Sequence, residues 1–287
     1  MKRELIINVD PSYTDEQKKI ELVSKLGNKV LKAHNVMLSN FFNLNGWKEE
    51  DISLLKNILK EQGYTVSVFS DLNVFERKDL ENCDYVVCVG QRNDTSKIDV
   101  ITYNANGTDP EYDNTNYNAR CMRGAVQILP LRCVWKISGS LWYKLFTSTW
   151  SKHWFIGDDL KMLLEKEKIS GLKYMPVHRK NGEIIDGVWQ IMPDNELPSG
   201  LFSDKLYSTD KNQPDSCARN PIVKGFRQEN LILKQEAKKH LKDFTETFER
   251  PFIYDRGMYI MSIKIARIFW DVGISPGKYD FYPVQFE

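Results

Sequence analysis

Two stretches 105 residues apart carry the same pattern, and this restricts the architecture more than any motif in the chain. The first runs from Trp154 to Val177: Phe155-Ile156, Asp159-Leu160 leading into Leu163-Leu164, Ile169-Ser170-Gly171, then Tyr174-Met175-Pro176-Val177. The second has Ile260-Met261, Lys264-Ile265, Ile268-Phe269, Ile274-Ser275 and Tyr282-Pro283-Val284. The spacing is constant at Leu160/Ile265, Leu163/Ile268, Leu164/Phe269 and Ile169/Ile274. It grows by two residues at the Gly171 and Pro276-Gly277 turns.

Each stretch reads as a strand, an amphipathic helix, a glycine turn and a closing strand. Leu160, Leu163 and Leu164 fall at i, i+3, i+4, as do Ile265, Ile268 and Phe269, so each set shares one helix face. Asp158 and Ser262 stand where a side-chain oxygen can cap free N–H groups. Gly171, and Gly273 or Gly277, can take the positive φ that ends a helix. Two copies are too few for a solenoid. The expectation is an α+β fold with related modules at about 154–178 and 259–284, sharing one sheet or lying in two abutting sheets.

Upstream, Leu5–Val9 reads as a strand. Pro11 and Thr14 open a helix carrying Ile20, Val23, Leu26, Val30 and Leu31, with Gln17 completing a capping box. Asp51–Glu61 is a second helix, with Ile52, Leu55, Ile58 and Leu59 on one face and Gly63 as its stop. Thr65–Phe69, Tyr85–Val89 and Ile98–Tyr103 suit strands. Strand–helix–strand order fits an α/β unit that could hold a nucleotide. No glycine-rich loop follows Val9 or Phe69, and Gly90-Gln91-Arg92-Asn93 is not a phosphate loop. Asn104–Tyr117, rich in Asn, Asp, Gly and Thr, reads as a long exposed loop. It divides an N-terminal part, 1–117, from a C-terminal domain, 118–287. Pro193–Pro214 is a second long loop. Trp142, Tyr143, Phe146, Trp150 and Trp154 form an aromatic stretch that is assigned to the core, since such residues dominate cores.

Composition narrows the partners. A net charge of +1 and a pI near 7.6 give no basic surplus, so nucleic acid is not expected. No run approaches the roughly 18 apolar residues of a membrane span. Met1-Lys2-Arg3 leads straight into Glu4-Leu5-Ile6-Ile7 without an apolar signal region, so the reading is cytoplasmic. Five cysteines, odd in number and scattered, suit a reducing compartment rather than a disulfide framework.

Four segments from Cys121 to Glu287 then fall into a recognisable order: Cys121-Met122-Arg123-Gly124, Ile169-Ser170-Gly171-Leu172-Lys173, Cys217-Ala218-Arg219-Asn220, and Lys242-Asp243-Phe244 with Ser262 to Val284. This order resembles the bacterial double-CXXCG motif proteins, in which two Cys-x-x-Cys-Gly knuckles alternate with strand–helix segments. That family is discussed alongside immunity proteins of toxin systems. The resemblance implies a protein partner, a toxin or effector. Here each knuckle keeps at most one cysteine, whereas a structural zinc site needs four ligands. No cofactor is therefore expected. Were zinc present, Cys121 and Cys217 would be its first ligands; otherwise they are small buried residues.

No catalytic constellation emerges. His34, His153, His178 and His240 show no metal-binding spacing. His178, beside Arg179-Lys180, is the best placed of the four but lacks a partner to activate it; His153 reads as a surface or half-buried residue. Asp158-Asp159 and Glu49-Glu50-Asp51 sit at helix starts, where the helix dipole accounts for them. The sequence reading is a non-enzymatic protein that binds a macromolecule through its long loops. The alternative is an enzyme or nucleotide-binding protein using the N-terminal part.

Overall fold

The structure is a computed structural model and describes residues 2–10, 15–33, 41–91, 98–101, 109–116, 125–136, 145–147, 153–206, 231–249, 257–276 and 279–287. The chain divides into two compact units, Met1–Phe75 and Glu76–Glu287. The division at 117 expected from loop composition therefore falls inside the second unit.

In the first unit, β1 (Lys2–Asp10) is flanked by β2 (Phe41–Asn43) and β3 (Thr65–Val74). Both pairings are antiparallel, with a bulge between Ile6 and Ile7 of β1. This corrects the expected α/β unit: a dinucleotide fold needs parallel strands joined by a crossover helix. Helices α1 (Glu16–Leu26), α2 (Lys29–Ala33) and α3 (Glu49–Glu61) supply the rest of the core. Leu5, Ile7 and Val9 alternate inward and are buried with Leu22, Leu26, Val30, Phe42, Ile52, Leu55, Ile58 and Leu59. The apolar face of α3 is as predicted. On α1 and α2 the phase differs: Ile20 and Leu31 are exposed, while Leu22 and Ala33 are buried. The cap of α1 is Asp15, whose Oδ1 accepts from the N–H groups of Gln17 and Lys18. Thr14 lies outside the described residues.

The second unit opens with the short helix α4 (Arg77–Leu80) and strand β4 (Tyr85–Gln91). There follow β5 (Ile98–Val100), β6 (Tyr112–Asp113), β7 (Val126–Gln127), β8 (Arg132–Trp135) and β9 (Leu145–Thr147). The first module is β10 (Trp154–Gly157), α5 (Asp158–Lys166) and β11 (Leu172–Arg179), and β12 (Ile184–Pro193) returns beside it. Then come β13 (Ile232–Leu233) and β14 (Phe244–Glu246). The second module is β15 (Tyr259–Ser262), α6 (Ile263–Asp271) and β16 (Tyr279–Pro283), and β17 (Gln285–Phe286) ends the chain. The two modules lie in different sheets, ordered β5-β8-β11-β12-β10-β9 and β14-β15-β4-β16.

The modules match closely. β10 and α5 have the same bounds as β15 and α6 after a shift of 105 residues. Their helix ends match bond for bond. Glu167 N–H donates to Leu163, Lys168 to Glu165 and Ile169 to Leu164; Val272, Gly273 and Ile274 donate likewise to Ile268, Trp270 and Phe269. The helix starts differ from expectation. Neither helix has a side-chain cap: Gly157 precedes α5, and Ser262 gives its hydroxyl to Asp243 instead. Asp158 accepts from Trp189 Nε1 at 2.5 Å.

The residue that closes each helix takes a left-handed conformation, Lys168 at φ 52° and Gly273 at φ 88°. This conformation costs a side-chain-bearing residue roughly 1–2 kcal/mol, and glycine nothing. Lys168→Gly should therefore raise the unfolding free energy by about 0.5–1 kcal/mol, the relief of strain exceeding the added freedom of the unfolded chain. Gly273→Ala should lower it by about 1 kcal/mol. Urea denaturation curves test both, and a loss of stability in Lys168→Gly would show that no strain resides there.

Candidate interaction surface

The strongest candidate is the two-stranded ribbon β6–β7, in which Tyr112 pairs with Gln127 and Asp113 with Val126. Residues 109–116 were expected to belong to an exposed loop. Instead Tyr112 alternates inward and packs with Ala125 against Leu131, Cys133, Phe155, Val177, Ile185 and Val188 of the large sheet. Residues 102–108 and 117 lie outside the described residues.

Polar side chains fix the ribbon to the sheet at three places. Gln127 and Gln190 are both buried and exchange amide hydrogen bonds, Nε2 to Oε1 in each direction, at 2.9 and 2.8 Å. Gln127 Nε2 also donates to the carbonyl of Leu129 at 2.9 Å. Tyr112 Oη lies 3.3 Å from His153 Nε2, and His153 is only 2% exposed, more deeply buried than the surface or half-buried position expected of it. Buried Glu111 receives Arg132 through Nε and Nη2 at 3.0 and 2.8 Å. Its backbone carbonyl takes the N–H groups of Ile128 and Leu129. A buried polar group left without its partner costs about 1–3 kcal/mol, so three such attachments fix the ribbon in one register.

The outer side of the ribbon is apolar. Val126, Ile128 and Leu129 are 49%, 54% and 49% exposed. Asp113 adds a fixed negative charge: hydrogen bonds from the Thr115 hydroxyl and N–H hold its carboxyl below the usual aspartate range. A short backbone segment carrying large apolar side chains outward and held from behind by buried polar pairs is suited to contact another macromolecule. Specific interfaces centre on such ordered apolar groups.

Among the described residues, the other predicted positions form no metal-holding group. His178 lies on β11, where its N–H donates to Leu131, and His240 ends the 3-10 turn Gln235–His240. His34, Cys121 and Cys217 lie outside the described residues. Cys83 and Cys133 are free thiols. Burial pushes the Cys133 thiol up to about 12 and raises that of Cys83, so neither is an activated nucleophile. Tyr174 is likewise pushed to about 12 by burial and by Glu165. Among the described residues, no three His, Cys, Asp or Glu side chains form a group that could hold a metal. The loop assigned to Pro193–Pro214 sends four side chains into the core: Leu197, Leu201, Phe202 and Leu206 are buried, and residues 207–214 lie outside the described residues. No described helix is long and apolar enough to cross a membrane. Compared with known proteins, the chain matches no family model, no curated protein and no solved structure.

The ribbon escaped the sequence because its signals are single residues. Gln127 and Gln190 are lone amides in apolar stretches, and only their 63-residue pairing gives them meaning. The alternation of Tyr112 and Asp113 was hidden in a composition that otherwise reads as loop.

Proposed function

We propose that the chain is a cytoplasmic, non-enzymatic binding protein that occludes a protein partner, in the manner of the immunity-like proteins it resembles in sequence. The observation that supports this reading is the ribbon: buried polar pairs hold it while Val126, Ile128 and Leu129 point outward. Occlusion needs a shaped, preorganised surface and no reacting group. The partner is a toxin or effector protein, and metal plays no part in holding it.

Ile128→Asp with Leu129→Asp tests the proposal without touching a buried anchor. Two charges placed in an apolar contact should weaken binding at least 100-fold, since buried hot-spot positions are each worth about 2 kcal/mol or more. The protein captured by the wild-type chain from its host is purified and titrated against both forms, and its effect on cell growth is scored with each co-expressed. Loss of binding and of protection in the variant, with an unchanged circular dichroism spectrum, supports the proposal. Equal binding by both forms overturns the choice of surface. A captured protein whose effect on growth is not suppressed by the wild-type chain overturns occlusion.

A further inference from the structure

We infer that Glu76–Glu287 is a tandem duplication far longer than the two modules, in which each copy has handed its first strand to the sheet of the other. The argument is one of register. In the first module β12 lies between β10 and β11: Gln190 opposes Phe155 on one side and Met175 on the other, and Trp189 opposes Ile156 and Pro176. In the second module β4 takes this place between β15 and β16. Val87 opposes Ile260 and Tyr282, and Val86 opposes Met261 and Pro283. Each of these four partners is the module equivalent of the residue that faces β12. Thus β4 corresponds to β12 at a spacing of 103 residues, yet β4 precedes the first module in the chain and completes the second.

The remaining strands follow the same order. β8 runs parallel to β11 with His178 beside Arg132, and β13 runs parallel to β17 with Gln285 beside Ile232. His178 N–H donates to Leu131 at 3.0 Å, and Gln285 N–H donates to Leu231 at the same distance. Val100 opposes Cys133 as Phe202 opposes Leu233; Ile101 N–H donates to Arg132 as Ser203 N–H donates to Ile232. β9 and β14 pair with β10 and β15 in one register, Leu145 with Ile156 and Phe244 with Met261. The copies are therefore 85–179 and 188–286. Their cores agree: Leu131, Cys133, Phe155, Val177 and Val188 of one cluster correspond to Leu231, Leu233, Ile260, Val284 and Tyr85 of the other. Contacts between the two sheets are paired as well, β4 against β9 and β12 against β14. The equivalent residues Trp154 and Tyr259 touch each other, with ring centroids 5.0 Å apart.

Such an exchange is the arrangement of a strand-swapped dimer, here within one chain. It also separates scaffold from specialisation. The three residues beside the first module that anchor the ribbon are His153, Arg132 and Gln190, the last on the strand lent by the second copy, and their equivalents beside the second module are Met258, Ile232 and Val87. Only the set beside the first module is polar at these positions. If the ribbon is the binding surface proposed above, the sheet around the first module carries recognition, with Gln190 of the second copy as one of its anchors, and the sheet around the second module braces it. This last step rests on the proposed function; the exchange does not.

The test uses the full chain with Cys88→Ala and paired cysteines. If β4 completes the second copy, Val87→Cys with Ile260→Cys should oxidise to an intramolecular disulfide, identified by peptide mapping. Val87→Cys with Phe155→Cys should not, although these residues would face each other were β4 kept in its own copy. Closure of the 87–155 pair instead of 87–260, or closure of 87–260 only between chains, overturns the inference. Should either variant fail to fold, the native protein decides. Lys238 Nζ is 3.4 Å from Asp84, at the start of β4, and zero-length carbodiimide coupling should join these two. Coupling of the Asp84 carboxyl to a lysine of the first copy instead overturns the inference. A failed ribbon variant leaves both of these results unchanged.

Discussion

Trp154→Ala is expected to lower the unfolding free energy by about 3–5 kcal/mol, the range for removing a large aromatic from a packed core. Trp154 is 1% exposed. Its ring lies 5.0 Å from Tyr259, 5.8 Å from Phe244 and 6.4 Å from Phe269, and Phe244 and Tyr259 are themselves 5.2 Å apart. Two of these contacts, to Tyr259 and Phe269, cross between the modules, and that to Phe244 reaches β14 of the second module's sheet, so alanine opens a cavity in the joint rather than within one half. Aromatic pairs add about 0.5–1.5 kcal/mol each beyond the area they bury. Trp154→Phe keeps edge contacts and should cost about half as much. Met162→Ala, at a site 57% exposed on α5, should stay within about 0.5 kcal/mol and serves as the control. Guanidinium unfolding followed by circular dichroism gives all three values. A loss below about 1 kcal/mol for Trp154→Ala would mean that the modules do not depend on each other through this cluster.

What the sequence revealed follows from how far each signal reaches along the chain. Helical periodicity is local, so Leu160, Leu164, Ile265 and Phe269 identified α5 and α6, and all four are buried. The same reasoning found the face of α3. Strand direction is not local: alternation marks β1 and β3 equally well whether they run parallel or antiparallel, and the α/β reading of the first unit failed at that step. The place of β4 was beyond reach, because Tyr85 to Val89 reads as a strand but nothing in those residues names partners at Ile260 and Tyr282. The same limit hid the core role of Leu197, Leu201 and Phe202, which sit among Pro, Ser and Gly and become interior only by pairing with residues near Leu233. Of the candidate surface, the sequence indicated a segment around 104–117 but not the buried anchors that hold it.

Gly171→Ala should be more damaging still, by about 4 kcal/mol or enough to prevent folding, and for a reason the sequence did not supply. Gly171 was expected to end a helix, but Lys168 does that; Gly171 instead lies where the first module meets the backbone of β14 in the second module's sheet. Its φ is +83°, and a Cβ there would stand 2.1 Å from the carbonyl oxygen of Phe244 and 3.0 Å from Lys242 Cβ. The obstacle is backbone and cannot turn aside. It is also held firmly: Phe244 N–H donates to Ser170 at 3.0 Å, and the Asp243 carboxylate accepts from Ser170 N–H at 3.0 Å and from the Ser170 and Ser262 hydroxyls at 2.8 Å each. Burial works against ionisation of Asp243, but these bonds and nearby Lys264 hold its carboxyl below the usual aspartate range. Displacing Phe244 would thus disturb a charge-assisted bond set and the aromatic joint at Trp154 together. Gly182→Ala separates the two causes. Gly182 has φ +89° with nothing within 4 Å of a Cβ, so it should show only the left-handed cost of about 1–2 kcal/mol. The excess in Gly171→Ala, read from paired denaturation curves, measures the close approach of the modules. Equal losses at the two glycines would mean that the strand carrying Phe244 can retreat from the turn, and that Asp243 does not tie the modules together.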